Sequence, residues 1–108
     1  MEEKMQDCIS AGQLKNLLQH SSENILIIDV RSAEEYATQH ISLTVNIPVQ
    51  EIESENFTPE SGKIIITACG KGGGRSEKAA KHIRDNYNSE VYFLEGGTFG
   101  WLEREKQS

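Results

Sequence analysis

Residues 69–76, "CGKGGGRS", gather one cysteine, two cations and four of the chain's nine glycines into a single turn. A cysteine in such a setting can act as a nucleophile, because the thiolate attacks electrophilic sulfur or phosphorus without a metal or a histidine base. Gly70, Gly72, Gly73 and Gly74 lift the steric ban on positive φ, so successive amides can converge on a centre left clear of side chains. Arg75 offers a planar fork of donors to an oxyanion, and Lys71 adds a mobile point charge. Gly70 to Ser76 are therefore the expected binding loop for a small anion such as thiosulfate, with Cys69 at its base.

The charge distribution supports that reading. The whole chain has a net charge of -6, yet residues 69–84 hold Lys71, Arg75, Lys78, Lys81 and Arg84 against Glu77 alone, which makes this segment +4 and the remainder -10. An acidic balance of this kind excludes a general nucleic-acid or anionic-membrane surface. The bland alternative is a glycine-rich connection with Cys69 as a small buried apolar residue, and the clustered cations argue against it.

A loop of this type needs a strand before it and a helix after it. "KIIITA" (63–68) reads as a strand buried on both faces, and 76–87 as a helix with Ala79, Ala80, Ile83 and Tyr87 on its inner side. The helix start would direct amides and the positive end of its dipole at the loop, a setting that favours anions and the thiolate. In open α/β sheets, sites form beyond the carboxyl ends of the strands, which is where Cys69 falls.

The rest of the chain repeats the alternation. Cys8 and Ile9 suggest a short first strand, and "SAGQLKNLL" a helix capped by Ser10. "NILIIDV" (24–30) is a second fully apolar strand, followed by a helix in which Ser32 and Glu35 form a capping box. "VNIP" is a short strand, "VYFL" (91–94) the last one, and "TFGWLERE" a terminal helix capped by Thr98. Residues 51–62 are the longest irregular connection. Strands alternating with helices imply a mainly parallel sheet with helices on both faces, and 108 residues suffice for one domain, 1–108.

Asp29 and Arg31, at the end of a buried strand, are expected to cap or pair there rather than react. His40 is expected as hydrogen-bonded scaffold, and His20 and His82 as surface or packing residues. Trp101, Phe99 and Phe93 read as core. Three scattered histidines and two distant cysteines give no metal-ligand spacing. Cys8 is expected to be inert and unbonded to Cys69. "MEEKMQDCIS" lacks a basic start and an apolar stretch, so a cytoplasmic location is expected.

"IDVRSAEEYATQHISLTVNIP" (28–48), "CGKGGGRS" and "LEGGTFGW" (94–101) together resemble the rhodanese family of single-domain sulfurtransferases, whose fold also includes Cdc25-type phosphatases and some arsenate reductases. The resemblance covers nearly the whole chain and implies a rhodanese-like fold with a mainly parallel five-stranded sheet. It implies that Cys69 takes sulfane sulfur as a persulfide from thiosulfate or another donor. The sulfur then passes to cyanide, a thiol or a protein acceptor, with no cofactor. It further implies that the amides of 70–75 bind the sulfur, that Arg75 anchors the loop or the substrate, and that Asp29, Arg31 and His40 support the loop.

Five residues separate Cys69 from Arg75, one more than in the usual small sulfurtransferase, and this longer loop goes with the phosphatase and arsenate-reductase members. The loop contains no Asp, Glu or His to protonate a leaving oxygen, a lack that costs phosphate-ester cleavage on the order of 10²-fold or more. Sulfur transfer is therefore favoured, beside a phosphatase or arsenate-reductase alternative. A third reading is a non-enzymatic persulfide carrier loaded by a partner such as a cysteine desulfurase.

Overall fold

The two uninterrupted apolar runs lie side by side at the centre of the sheet. In the computed structural model, which describes residues 8–55, 57–60, 62–71 and 74–106, they form β2 (Ile25–Asp29) and β4 (Ile64–Ala68). These pair in parallel from Ile25 with Ile64 to Asp29 with Ala68. Both faces of each strand must be covered, as such runs require. The side chains alternate accordingly: Ile28, Val30 and Ile65 enter one buried cluster, and Ile25, Ile27, Ile66 and Ala68 the other.

β3 (Thr44–Asn46) flanks β2, β5 (Glu90–Leu94) flanks β4, and β1 (Cys8–Ile9) lies outside β5, giving the order β1-β5-β4-β2-β3 with all four pairings parallel. Helix α1 (Ala11–Ser21) and helix α5 (Gly97–Lys106) cover one face through Leu14 and Trp101. Helices α3 (Val49–Ile52) and α4 (Arg75–Asn86) cover the other through Val49, Ile52, Ala79, Ala80 and Ile83. The expected parallel α/β sheet with helices on both sides is the one observed. Truncating a fully buried Ile83 to Ala would cost about 2–5 kcal/mol, so each inner helix face is a large part of the fold's stability.

Helix starts follow the local signals. Ser10 caps α1, with Gln13 completing a capping box, and Ser32 caps α2 (Ala33–Thr38), with Glu35 in the reciprocal position. Three expectations are corrected. Thr98 does not cap α5: the helix begins one residue earlier, after a turn in which Gly96 and Gly97 have φ of 80° and 63°, and the Thr98 side chain is fully buried. The connection 51–62 opens inside helix α3, whose single turn follows Pro48 and buries Val49 and Ile52. Phe99 is not core, being 44% exposed, whereas Trp101 is buried.

The two cysteines are not joined. Cys8 pairs with Phe93 on β5, which pairs with Thr67 on β4, so a whole strand stands between them. Two inter-strand spacings amount to roughly 10 Å, beyond the Cα separation a disulfide spans.

Candidate active site

β2 and β4 are neighbours from which the chain departs in different directions, to edge strand β3 and to β5. The crevice beyond their carboxyl ends is where ligand sites arise in such sheets. Asp29 ends β2 and Cys69 follows β4, so both lie at this crevice.

Cys69 is 5% exposed, and its Sγ donates to Ser76 Oγ at 3.2 Å. Ser76 is the second residue of α4 and is fully buried; its carbonyl accepts from the Thr67 hydroxyl at 2.8 Å. The first turn of α4 is thereby fastened to β4 with its serine against the sulfur. Gly74, which precedes the helix, has φ 50° and ψ -114°, a backbone that only glycine adopts readily. Gly72 and Gly73 lie outside the described residues, so the expected cradle of amides is described only at its two ends.

The near end of the loop is clipped to α5. Thr98 N donates to the Cys69 carbonyl at 2.7 Å and Phe99 N to the Gly70 carbonyl at 2.9 Å. A Cβ on Gly70 would stand 3.2 Å from the Phe99 ring, closer than ordinary van der Waals contact, so the ring would have to shift to admit it. That ring leaves part of its surface to solvent beside the residue that follows the cysteine.

Asp29 and Arg31 form a buried pair, both about 1% exposed. Arg31 Nε lies 3.0 and 3.2 Å from the two Asp29 oxygens and Nη2 lies 2.8 Å from Oδ2. The guanidinium also donates to the Gln39 carbonyl at 2.6 Å and sits 5.5 Å from the centroid of the Phe99 ring. Thr98 Oγ1 approaches Asp29 Oδ2 at 3.5 Å. The pair thus braces the turn that holds Cys69 and Gly70. Asn46 adds to it by donating to the Asp29 and Arg31 carbonyls at 3.0 and 2.9 Å.

Arg75 is the first residue of α4, and its terminal nitrogens engage Glu35 at 2.8 and 3.1 Å. Its fork therefore faces a carboxylate of α2. The hydrogen bonds from Arg75, then from the Ser32 backbone N–H, hold the Glu35 carboxyl well below its ordinary 4.5, at about 2. Arg75 is in turn pushed above its ordinary value, first by the bond to Glu35 and then, across space, by the charges of Glu35, Cys69 and Asp29. The other cations of the +4 segment are also engaged: Lys78 with Glu53 at 3.6 Å, Lys81 with Asp85 at 2.8 Å, and Arg84 with the Val91 carbonyl at 3.0 Å. Lys71 is exposed and forms no ion pair among the described residues.

His40 stands apart, with its ring stacked on Tyr36 at 3.9 Å and its Nδ1 2.8 Å from the Tyr36 carbonyl. Among the described residues, no three of His, Cys, Asp and Glu are grouped to hold a metal ion, and no helix is long and apolar enough to cross a membrane. Sequence reasoning brought together Cys69, Ser76, Asp29 and Arg31. It missed Glu35 as a partner of Arg75 and Phe99 as a wall on Gly70. The signals were present in the Glu-Tyr pair at 35–36 and in an aromatic just past a Gly-Gly turn, but neither names its partner.

A parallel α/β sheet with one cysteine at a strand-to-helix junction, over a buried Asp–Arg brace, defines a class of fold and site. The Rhodanese-like domain family matches residues 10–104, and the chain belongs to that family, which is of sulfurtransferase type. A putative sulfur carrier protein, YrkF, of Bacillus subtilis is 35% identical over 75% of this chain and 43% of its own length. A tRNA uridine(34) hydroxylase of Buchnera aphidicola is 30% identical over 87% of this chain and 31% of its own. The chain spans less than two-thirds of the length of these curated relatives. The human single-domain sulfurtransferase TSTD1 superposes with a TM-score of 0.79 at 26% identity, over 93% of this chain and 98% of that one.

Proposed function

We propose that the chain is a thiosulfate sulfurtransferase of the rhodanese type that carries sulfane sulfur as a persulfide on Cys69. The observation that carries the reading is the placement of the Cys69 sulfur against Ser76, in the first turn of α4, at the crevice beyond β2 and β4. A helix N-terminus favours an anionic sulfur and an anionic donor. The family membership and the likeness to a single-domain sulfurtransferase support it.

In the first half-reaction the Cys69 thiolate attacks the outer sulfur of thiosulfate. The new S–S bond forms as the old one breaks, and sulfite leaves with the electron pair. In the second, cyanide, a small thiol or a protein thiol attacks the outer sulfur of the persulfide, and the Cys69 thiolate is the leaving group. Neither half needs a metal or an organic cofactor. Gly70 to Ser76 bind the donor, Lys71 attracts it, and Asp29 and Arg31 hold the loop; His40 steadies the turn after α2.

The carrier function named for the Bacillus relative motivates a further partner, a cysteine desulfurase that would load Cys69 directly. The five residues between Cys69 and Arg75 favour a second reading, phosphatase or arsenate reductase. Against it, the Arg75 fork is taken up by Glu35. We place the protein in the cytoplasm as one domain over 1–108. Parallel assays decide between the chemistries: thiosulfate with cyanide should turn over, and an aryl phosphate and arsenate should not. Phosphate or arsenate turnover without sulfur transfer, lost in Cys69→Ser, would reverse the assignment.

A further inference from the structure

Three large apolar side chains are well exposed among the described residues: Leu43 before edge strand β3, Val45 within it, and Phe99 beside the Cys69 crevice. Phe99 differs from a stray surface residue because its position is fixed. The turn through Gly96 and Gly97 starts α5 so that Trp101 enters the core while the Phe99 ring lies on Gly70. The Phe99 amide donates to the Gly70 carbonyl at 2.9 Å, and that of the buried Thr98 before it donates to the Cys69 carbonyl at 2.7 Å. The buried Arg31 guanidinium lies 5.5 Å from the ring centroid. Close to half of this anchored residue still faces solvent.

Gly70, on which the ring rests, is one residue from the cysteine, about 3.8 Å between Cα atoms. The Cys69 sulfur is held by the buried Ser76 hydroxyl at 3.2 Å and Cys69 is only 5% exposed, so a molecule that takes sulfur from it must enter from solvent past the residues open at this crevice. We propose that Phe99 is a specificity-determining residue for the second half-reaction, an apolar wall that selects small thiols carrying an aromatic or other apolar group over cyanide and polar thiols. The inference deepens the sulfur-transfer reading and rests on it. One ring offers at most about 150–250 Å² of contact, against about 800 Å² per partner in a stable protein interface, so the acceptor it recognises is a small molecule. The acceptor thiolate attacks the outer sulfur of the persulfide; the new S–S bond forms as the bond to Cys69 Sγ breaks, the electron pair returns to Cys69, and the acceptor leaves as a persulfide. Phe99 touches only the carbon frame of the acceptor, where a ring against a ring contributes a factor of about two to ten.

The test loads the protein with thiosulfate, removes the excess donor and follows loss of the added sulfur by intact mass. Benzyl mercaptan, 2-mercaptoethanol and cyanide are the acceptors, compared on wild type, Phe99→Ala, Phe99→Gln and Phe99→Tyr. With benzyl mercaptan, discharge should slow by about two- to tenfold in Phe99→Ala, and likewise in Phe99→Gln, which keeps bulk over Gly70 without a ring. With 2-mercaptoethanol and cyanide the same variants should stay close to the wild-type rate, which also shows that their sites are intact. Phe99→Tyr retains the ring and should keep the wild-type ratio between acceptors.

A merely structural role for Phe99 would slow all three acceptors alike. Equal slowing, no slowing with benzyl mercaptan, a Phe99→Tyr protein that behaves as Phe99→Ala, or loss of sulfur loading in both ring-free variants would overturn the proposal. A wild type that takes no sulfur from thiosulfate refutes the sulfur-transfer reading and this inference with it. One that is loaded, and whose discharge shows no dependence on the ring, refutes the role of Phe99 alone.

Discussion

Two arginine–carboxylate pairs lie within the same crevice and differ in almost every physical respect. Asp29–Arg31 is sealed from water beneath the loop, spans two residues and is reinforced by the Gln39 carbonyl and the Phe99 ring. Glu35–Arg75 lies at the surface, spans 40 residues and has close to half of each side chain in solvent. Removing one partner of a buried pair strands a charge in low dielectric, whereas an exposed pair is screened and contributes little to stability. The buried pair therefore belongs to the scaffold, and the exposed pair to the field that a ligand meets.

The comparison breaks first at Arg31. Arg31→Met leaves Asp29 buried without its partner and should destabilise the fold by about 3–5 kcal/mol, measured by denaturant unfolding. A loss below about 1 kcal/mol would place this pair with the exposed one.

Gly70→Ala tests how the buried pair reaches the loop. The added Cβ would meet the Phe99 ring at 3.2 Å, and the Arg31 guanidinium lies 5.5 Å from the centroid of the same ring. Overpacking of this kind costs about 1–3 kcal/mol, and a Phe99→Ala background should remove most of that penalty. If the penalty persists there, the ring is not the obstacle.

Glu35→Gln should have the smallest effect on stability, less than about 1 kcal/mol at neutral pH. Its pH dependence sharpens the point. The folded value of Glu35, about 2, lies below the ordinary 4.5, so the contribution of its pair is fully present above about pH 4.5 and is lost as pH falls through about 2. The stability difference between wild type and Glu35→Gln should accordingly be flat from pH 5 to 8 and shrink only in acid. A difference that varies near neutrality would mean that Glu35 is not held by Arg75.

The same contrast explains what could be read from the chain. Apolar runs such as "ILII" announce buried strands, and Ser32 with Glu35 announces a helix start, because strand alternation and capping are decided within a few residues. Cys69 beside a cluster of glycines marks the loop for the same reason. The second use of Glu35 was hidden, since only the adjacency of β2 and β4 brings the starts of α2 and α4 together. Thr98 carried a local cap signal that lost to a tertiary contact: it lies inside the first turn of α5, buried, with its hydroxyl turned to Asp29 Oδ2 at 3.5 Å. Phe99 has the apolar character of a core residue, yet the turn before it aims the ring at Gly70 and leaves it half open to solvent. The +4 segment charge was legible as a sum, but its pairing with Glu35, Glu53 and Asp85 was not.

The central claim is a sulfur atom held on Cys69. Intact-mass measurement of wild type and Cys69→Ser after incubation with thiosulfate tests it directly. The account predicts a gain of one sulfur atom in wild type, discharged by cyanide, and no gain in Cys69→Ser; an unmodified wild-type protein, or the same gain in both proteins, would contradict it.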